Sequence, residues 1–189
     1  MNAIVTQRLR LVPVGAGNAD VLWGMLGRGD LRVYQDLPDV DRAHFRRIVE
    51  ARPKLLAPGA LGRFEWLIYE RVKAETVASA LHPEASGWVS LRVQERGGRA
   101  EVGYSVIGER RRKGIATESL RALVREGFER ADLTEIRAYC VPENRPSRNV
   151  LINAGFSEGG LVPRGATVRG RSVDVLTFVL PRAAILSER

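Results

Sequence analysis

The chain is poor in the residues that build covalent or metal-held scaffolds. Its 189 residues include a single cysteine, Cys140, so no disulfide can form within it and no cysteine cluster can hold zinc or an iron–sulfur centre. The only histidines, His44 and His82, are not spaced as ligands of one ion, and no metal is expected. No apolar run approaches the ~20 residues needed to span a bilayer. The opening Met1–Leu11 also lacks the basic, apolar, small-residue order of a signal peptide. Secretion and membrane insertion are therefore not expected, and a reducing cytoplasm is.

What is present has the composition of a folded protein, with 44% hydrophobic and 28% charged residues. At ~100–200 residues per domain, the length predicts a single domain over 1–189. The formal charge is +8, and all but three of the 30 basic residues are arginine. That excess fits an anionic ligand or surface, and equally the codon usage of a GC-rich genome. It is spread along the chain rather than gathered in a tail, so nucleic-acid binding as the primary role is disfavoured.

Periodicity orders the elements. Arg8–Val14 alternates as a strand with one buried face. Asn18 then stands as N-cap before a helix carrying Ala19, Val21, Leu22, Met25 and Leu26, and Asp41 before one carrying Phe45, Ile48 and Val49. Strands follow at Phe64–Tyr69, Gly87–Val93 and Ala100–Val106, with Gly97-Gly98 predicting a hairpin between the last two. The polar connector 73–86 is read as a loop or a short helix around Glu75–Leu81, with His82 in a loop. Ala116, Leu120, Leu123, Val124, Gly127, Phe128 and Ala131 mark one face of the clearest helix. Glu135–Val141 returns to strand alternation, and Pro146–Ala154 suits a helix with proline early and Gly155 past its end. Strands Phe156–Val162 and Val173–Leu180, separated by a loop over Gly165–Gly170, complete the sheet.

The run Arg110-Arg111-Arg112-Lys113-Gly114-Ile115-Ala116-Thr117 falls where a strand ends and the best helix begins. A small-residue turn there presents unpaired backbone N–H groups and the positive end of the helix dipole, a seat for a phosphate or pyrophosphate. Gly114 and Ala116 let a ligand approach the nitrogens, and the basic side chains add attraction. A solvated basic face is the competing reading of the run. Neither Gly-x-x-x-x-Gly-Lys-Ser/Thr nor Gly-x-Gly-x-x-Gly occurs, which excludes the P-loop and dinucleotide signatures.

Arg111-x-x-Gly114-x-Ala116 resembles the Arg/Gln-x-x-Gly-x-Gly/Ala motif of the GNAT acyltransferase superfamily. Asn144 through Phe156, with Ser147, Gly155 and Phe156, resembles that family's Asn-x-x-Ser/Ala…Gly-Phe helix at the expected distance. Within the superfamily the chain is most similar to ribosomal-protein alanine acetyltransferases of the RimJ/RimL type. Thr6-Gln7-Arg8-Leu9-Arg10-Leu11 matches their opening, Gly103-Tyr104 their fourth strand, and Glu158-Gly159 with Asp174 their ending.

The resemblance implies an α/β GNAT fold: a mixed, mostly antiparallel sheet of about six to seven strands flanked by about four helices, with splayed fourth and fifth strands, here Ala100–Val106 and Glu135–Val141. It implies acetyl-CoA as co-substrate, its pantetheine arm in that gap and its pyrophosphate on the turn. Val106, Arg111, Arg112, Lys113, Gly114, Ile115, Ala116, Thr117 and Asn144 would contact the coenzyme. Glu101 stands where many members carry a general base, with an ordinary ion-paired strand glutamate as the alternative. The usual acid tyrosine position is Leu151, and Ser147 matches the serine that replaces it in this subgroup; a local backbone bond is the competing role of Ser147. Asn144 would orient the pantetheine amide or the Ser147 turn, or simply cap its helix. Tyr104 and Tyr139 are read as core or cross-strand packing with lining of the cleft as the alternative, Cys140 as a small buried side chain, and Trp66 and Trp88 as core or acceptor wall. The acceptor implied is a protein N-terminus, with a small amine as the alternative; Asp30, Asp36, Asp39 and Asp41 would favour a polyamine. A CoA-binding regulator without catalysis, a ribosome-binding module and a homodimer stay open.

Overall fold

A computed structural model describes residues 1–34, 39–71, 84–94 and 98–186 of the chain. Its strands are β1 (Ile4–Val5), β2 (Leu9–Pro13), β3 (Gly62–Glu70), β4 (Gly87–Val93), β5 (Arg99–Val106), β6 (Glu135–Cys140), β7 (Ser157–Val168) and β8 (Arg171–Pro181). Its helices are α1 (Ala19–Leu26), α2 (Arg42–Ala51), α3 (Ile115–Arg130), α4 (Arg145–Asn153) and α5 (Arg182–Leu186). The strands form one sheet in the order β1-β2-β3-β4-β5-β6-β8-β7. Only β5 and β6 run parallel; the other described pairs are antiparallel.

Alternation along the strands sorts side chains onto two cores. Leu9, Leu11, Phe64, Trp66, Val89, Leu91, Ala100, Val102, Ile136 and Ala138 face α3, whose Leu120, Leu123, Val124 and Phe128 are buried against them. The opposite face carries Leu67 and Trp88 beneath α1 and α2, where Leu22, Met25, Phe45 and Val49 are buried. The rings of Trp23 and Phe45, 5.1 Å apart, join these two helices.

The capping residues divide. Asp41 accepts from the N–H of His44 at 2.7 Å and caps α2. Asn18 makes no side-chain cap; it accepts from Gly15 N–H at 2.8 Å and donates to Pro13 O at 3.0 Å, so it fixes the turn between β2 and α1. The hairpin expected at Gly97-Gly98 is present as antiparallel β4 and β5, with Gly98 at φ 64°; Gly97 lies outside the described residues. So do the helix expected at Glu75–Leu81, His82 and Asp36.

The loop expected over Gly165–Gly170 is instead mostly strand. β7 continues to Val168 and turns at Arg169 and Gly170, both at positive φ. Its breaks in periodicity are register shifts between Glu158 and Leu161 and between Val162 and Ala166. Asp174 of β8 accepts from Arg164 N–H at 2.8 Å, holding the second irregularity in place. A bulge interrupts the two-residue period without ending the pairing, which is why the pattern reads as loop. The sheet has eight strands because β1 adds a two-residue edge, and α5 is a fifth helix.

Candidate active site

β5 and β6 pair at Arg99 with Glu135, Ala100 with Ile136 and Glu101 with Arg137, and at no later position. β5 runs five residues further, to Val106, and β6 three further, to Cys140. The strands therefore open a notch in the middle of the sheet. On its other edge β5 is paired with β4 over its whole run beyond Arg99. Gln94 donates to Arg99 O at 3.1 Å and Ile107 donates to Ser86 O at 3.0 Å. Antiparallel alternation between those bonds turns the peptide groups of Glu101, Gly103 and Ser105 toward β4 and those of Val102, Tyr104 and Val106 into the notch.

The notch leads to the turn before α3. A short 3₁₀ turn, Gly108–Arg110, precedes it, and Arg112 and Gly114 adopt positive φ of 61° and 77°. No side chain caps α3; Glu118 N–H bonds back to Gly114 O, so Ile115, Ala116 and Thr117 carry the N–H groups that a helix's first turn cannot bond internally. Arg112, Lys113 and Gly114 are exposed around them. Arg111 differs from its neighbours: it donates to Val106 O at 3.0 Å and Asp30 O at 2.8 Å. Its guanidinium is spent on shaping the turn and on covering the Val106 carbonyl. Asp30 also accepts from Gly108 N–H at 2.7 Å and from Arg28 at 3.0 Å. The carboxylate cluster suggested for a polyamine is thus spent in part on structure, Asp30 in this clamp and Asp41 in a cap.

Two residues of the opening motif, Thr6 and Arg8, meet the same turn. Glu118 accepts from Thr6 Oγ1 at 2.5 Å and from Arg8 Nε at 2.7 Å, while Arg8 donates to Lys113 O at 3.0 Å. Burial works against the Glu118 carboxylate, but the Thr6 and Arg8 hydrogen bonds hold it below its usual range. Arg8 thereby neutralises the one acidic side chain in α3's first turn and anchors the turn to β2. The sequence showed the motif without its partner, because Glu118 lies 110 residues away.

Across the notch, Asn144 Oδ1 accepts from Ser147 N–H at 3.1 Å and caps α4. Tyr104 reaches over from β5: its hydroxyl lies 2.9 Å from Ser147 Oγ and 3.0 Å from Ser147 O. Cys140, buried at the end of β6, is within hydrogen-bonding reach of Ser147. Burial pushes the Tyr104 phenol and the Cys140 thiol above their ordinary values. Tyr104 thus takes the alternative to packing, at the cleft, while its contact with Ser147 has no signal in the pattern of a strand aromatic. Leu151 is fully buried in the core beneath α4.

Glu101 stands apart from this group. It sits at the closed end of the notch, about 10 Å along β5 from Tyr104 and on the opposite sheet face. Its carboxylate accepts from Arg92 at 2.6 Å. Trp66 and Trp88 are buried at 1% and 6% exposure, which places both in the cores rather than in an acceptor wall. Tyr139 is exposed on β6, opposite in direction to Cys140. A cleft of about 780 Å³ adjoins the α4 cap, bounded by Val33, Tyr34, Val141, Glu143, Arg171 and Asp174.

The family of the acetyltransferase (GNAT) domain matches residues 8–157. The uncharacterized N-acetyltransferase p20 of Bacillus licheniformis is 28% identical over 182 residues, covering 95% of this chain and 96% of that protein. Among solved structures, the RimL ribosomal L7/L12 alpha-N-protein acetyltransferase in complex with coenzyme A superposes with a TM-score of 0.75 at 18% identity, over 97% of this chain and 99% of that one. RimJ of Mycobacterium smegmatis gives 0.68 at 22% identity, over 93% and 82%. The open notch, the uncapped α3 turn and the α4 cap all lie within the matched residues, and the chain belongs to the GNAT acetyltransferase family, with a fold of the RimJ/RimL kind.

Proposed function

We propose that the chain transfers the acetyl group of acetyl-CoA to the amino terminus of a protein or peptide. The observation that carries this reading is the β5–β6 notch, which opens beside an uncapped helix N-terminus and has a serine hydroxyl across it. An extended pantetheine arm would bond the inward peptide groups of Val102 and Tyr104, and the N–H of Val106, whose carbonyl Arg111 covers, as an added strand. The pyrophosphate would take the N–H groups of Gly114 to Thr117, with Arg112 and Lys113 as exposed counter-charges. The RimL structure is of a protein N-terminal acetyltransferase with coenzyme A bound, which favours a polypeptide acceptor entering by the cleft at Tyr34 and Glu143.

In the transfer, the neutral amine attacks the thioester carbonyl, the C–N bond forms, and the C–S bond breaks with its electron pair going to sulfur. A backbone N–H at the notch polarises the carbonyl, and Ser147 donates a hydrogen bond to the departing thiolate. Asn144 holds Ser147 by its cap and keeps its carboxamide nitrogen for the pantetheine. The nitrogen sheds its surplus proton to water as the intermediate collapses, and Glu101, about 10 Å along β5 from Tyr104 and paired with Arg92, receives it only through a chain of waters. An α-amine of ordinary pKa, ~7.7–8.0, is already partly neutral near pH 7.5, so that base contributes modestly.

The test is calorimetric titration with acetyl-CoA, CoA and ATP, followed by thiol release with pooled peptides and with small amines. CoA-selective binding and release with peptides are expected. Release with small amines alone overturns the polypeptide acceptor, and no CoA binding overturns the reading as a whole.

A further inference from the structure

Resting on the acetyl-transfer reading, we propose that Tyr104 is the positioning residue that makes Ser147 a donor to the departing sulfur. The argument is one of hydrogens. Tyr104 Oη has a single proton and two neighbours on Ser147, the hydroxyl at 2.9 Å and the backbone carbonyl at 3.0 Å. Two arrangements satisfy these distances. In one, the phenol donates to the carbonyl and Ser147 donates back to the phenol oxygen, so its proton is consumed within the pair. In the other, the phenol shares its one proton between Ser147 O and Ser147 Oγ as a three-centre bond, and the serine proton must turn to a third acceptor.

The second arrangement is the one that can act on a ligand. Within a helix, the Ser147 carbonyl already lies along the i+4 bonding direction toward Leu151, and α4 extends through both residues. The serine proton is then free to turn toward the end of β6, where the Cys140 thiol interacts with the Ser147 side chain. A thioester sulfur in the notch would meet that proton. The three groups come from β5, β6 and α4, so the donor direction is set by the same strands that hold the notch open. Burial raises the phenol's pKa, which keeps it an O–H donor across the working pH range. Neither residue loses its proton outright: the hydrogen bond stabilises the thiolate as the C–S bond breaks, and the thiolate takes its proton from solvent on release.

This role explains the placement of a tyrosine in an otherwise aliphatic register. Ala100, Val102 and Val106 share its sheet face and are buried. Phenylalanine would fill the same volume; only the hydroxyl reaches α4.

The test is Tyr104→Phe, Ser147→Ala and the double variant, assayed by steady-state thiol release beside acetyl-CoA calorimetry and thermal unfolding. Tyr104→Phe is expected to lower kcat about 5- to 30-fold, as for one orienting hydrogen bond, with KM and Kd for acetyl-CoA within twofold of the unmodified chain. The double variant should be no slower than Ser147→Ala, because the phenol acts only through the serine. Unchanged kcat in Tyr104→Phe, a loss carried by KM or Kd, or losses that multiply in the double variant would each overturn the assignment while leaving acetyl transfer intact. Absence of turnover in the unmodified chain with every acceptor overturns both. A Tyr104→Phe chain that fails to fold overturns the positioning role in favour of a structural one.

Discussion

Replacing Gly114 by alanine tests whether backbone donors hold the pyrophosphate. Gly114 sits at φ 77°, where a residue with a Cβ costs ~1–2 kcal/mol relative to glycine. The new Cβ would stand 3.1 Å from Arg8 Nη2, the mobile end of a side chain that also holds Lys113 O and Glu118. Arg8 can yield by a few tenths of an ångström, so the backbone strain dominates. For a chain of this size, ~1–2 kcal/mol lowers Tm by roughly 2–8 °C. The same strain divides between folding and binding: whatever the free turn sheds by relaxing must be restored around the ligand, so the Tm loss and a rise of up to roughly 5- to 30-fold in Kd for acetyl-CoA share that ~1–2 kcal/mol. Lys113→Ala removes a charge but leaves every amide, and its loss should stay below about fivefold and shrink with added salt. Calorimetric titration of both variants, with scanning calorimetry for stability, decides the matter. Loss of binding in Lys113→Ala together with unaltered binding in Gly114→Ala would refute the backbone argument and make the side chains the seat.

Glu118→Gln should destabilise the protein in urea at neutral pH, and the difference should vanish in acid. The Glu118 pKa is lowered on folding, so its stabilisation is present above the unfolded value of ~4.3 and is lost as pH falls through the lower folded value; a difference that grows in acid would contradict the Thr6–Arg8–Glu118 clamp. Installing a tyrosine at the vacant acid position, Leu151→Tyr, should cost ~1–3 kcal/mol by overpacking a site with no exposure and leave kcat no higher, read by denaturation and thiol release. Asn144→Ala should lose ~1 kcal/mol of cap energy and lower kcat by releasing Ser147, whereas Asn144→Asp retains the cap; equal stability of the two variants in thermal unfolding would deny the cap its role.

Local chemistry made most of the elements legible. Alternation marked the strands through β6, the 3.6-residue period marked α3, and Gly114 and Asn144 stand at helix starts because each element's ends demand particular backbone or side-chain groups. Where an irregularity breaks a period, local pattern misleads: two bulges shift the faces of β7 beyond Val162, and Asn18 stands at a helix start while its amide ties a turn. Motif spacing likewise located the turn and the α4 cap, since both are built from contiguous residues.

The site's wiring was a different matter. Which arginine faces inward, that Arg8 answers Glu118, and that Tyr104 meets Ser147 depend on strands brought together from 43 to 110 residues apart. Sequence alone determined which backbone conformations and which faces each segment would adopt, because those preferences act over a turn or a strand. The tertiary structure decided which groups share a proton or an ion pair, because a hydrogen bond requires about 3 Å and a fixed angle, and no local preference sets a distance between elements.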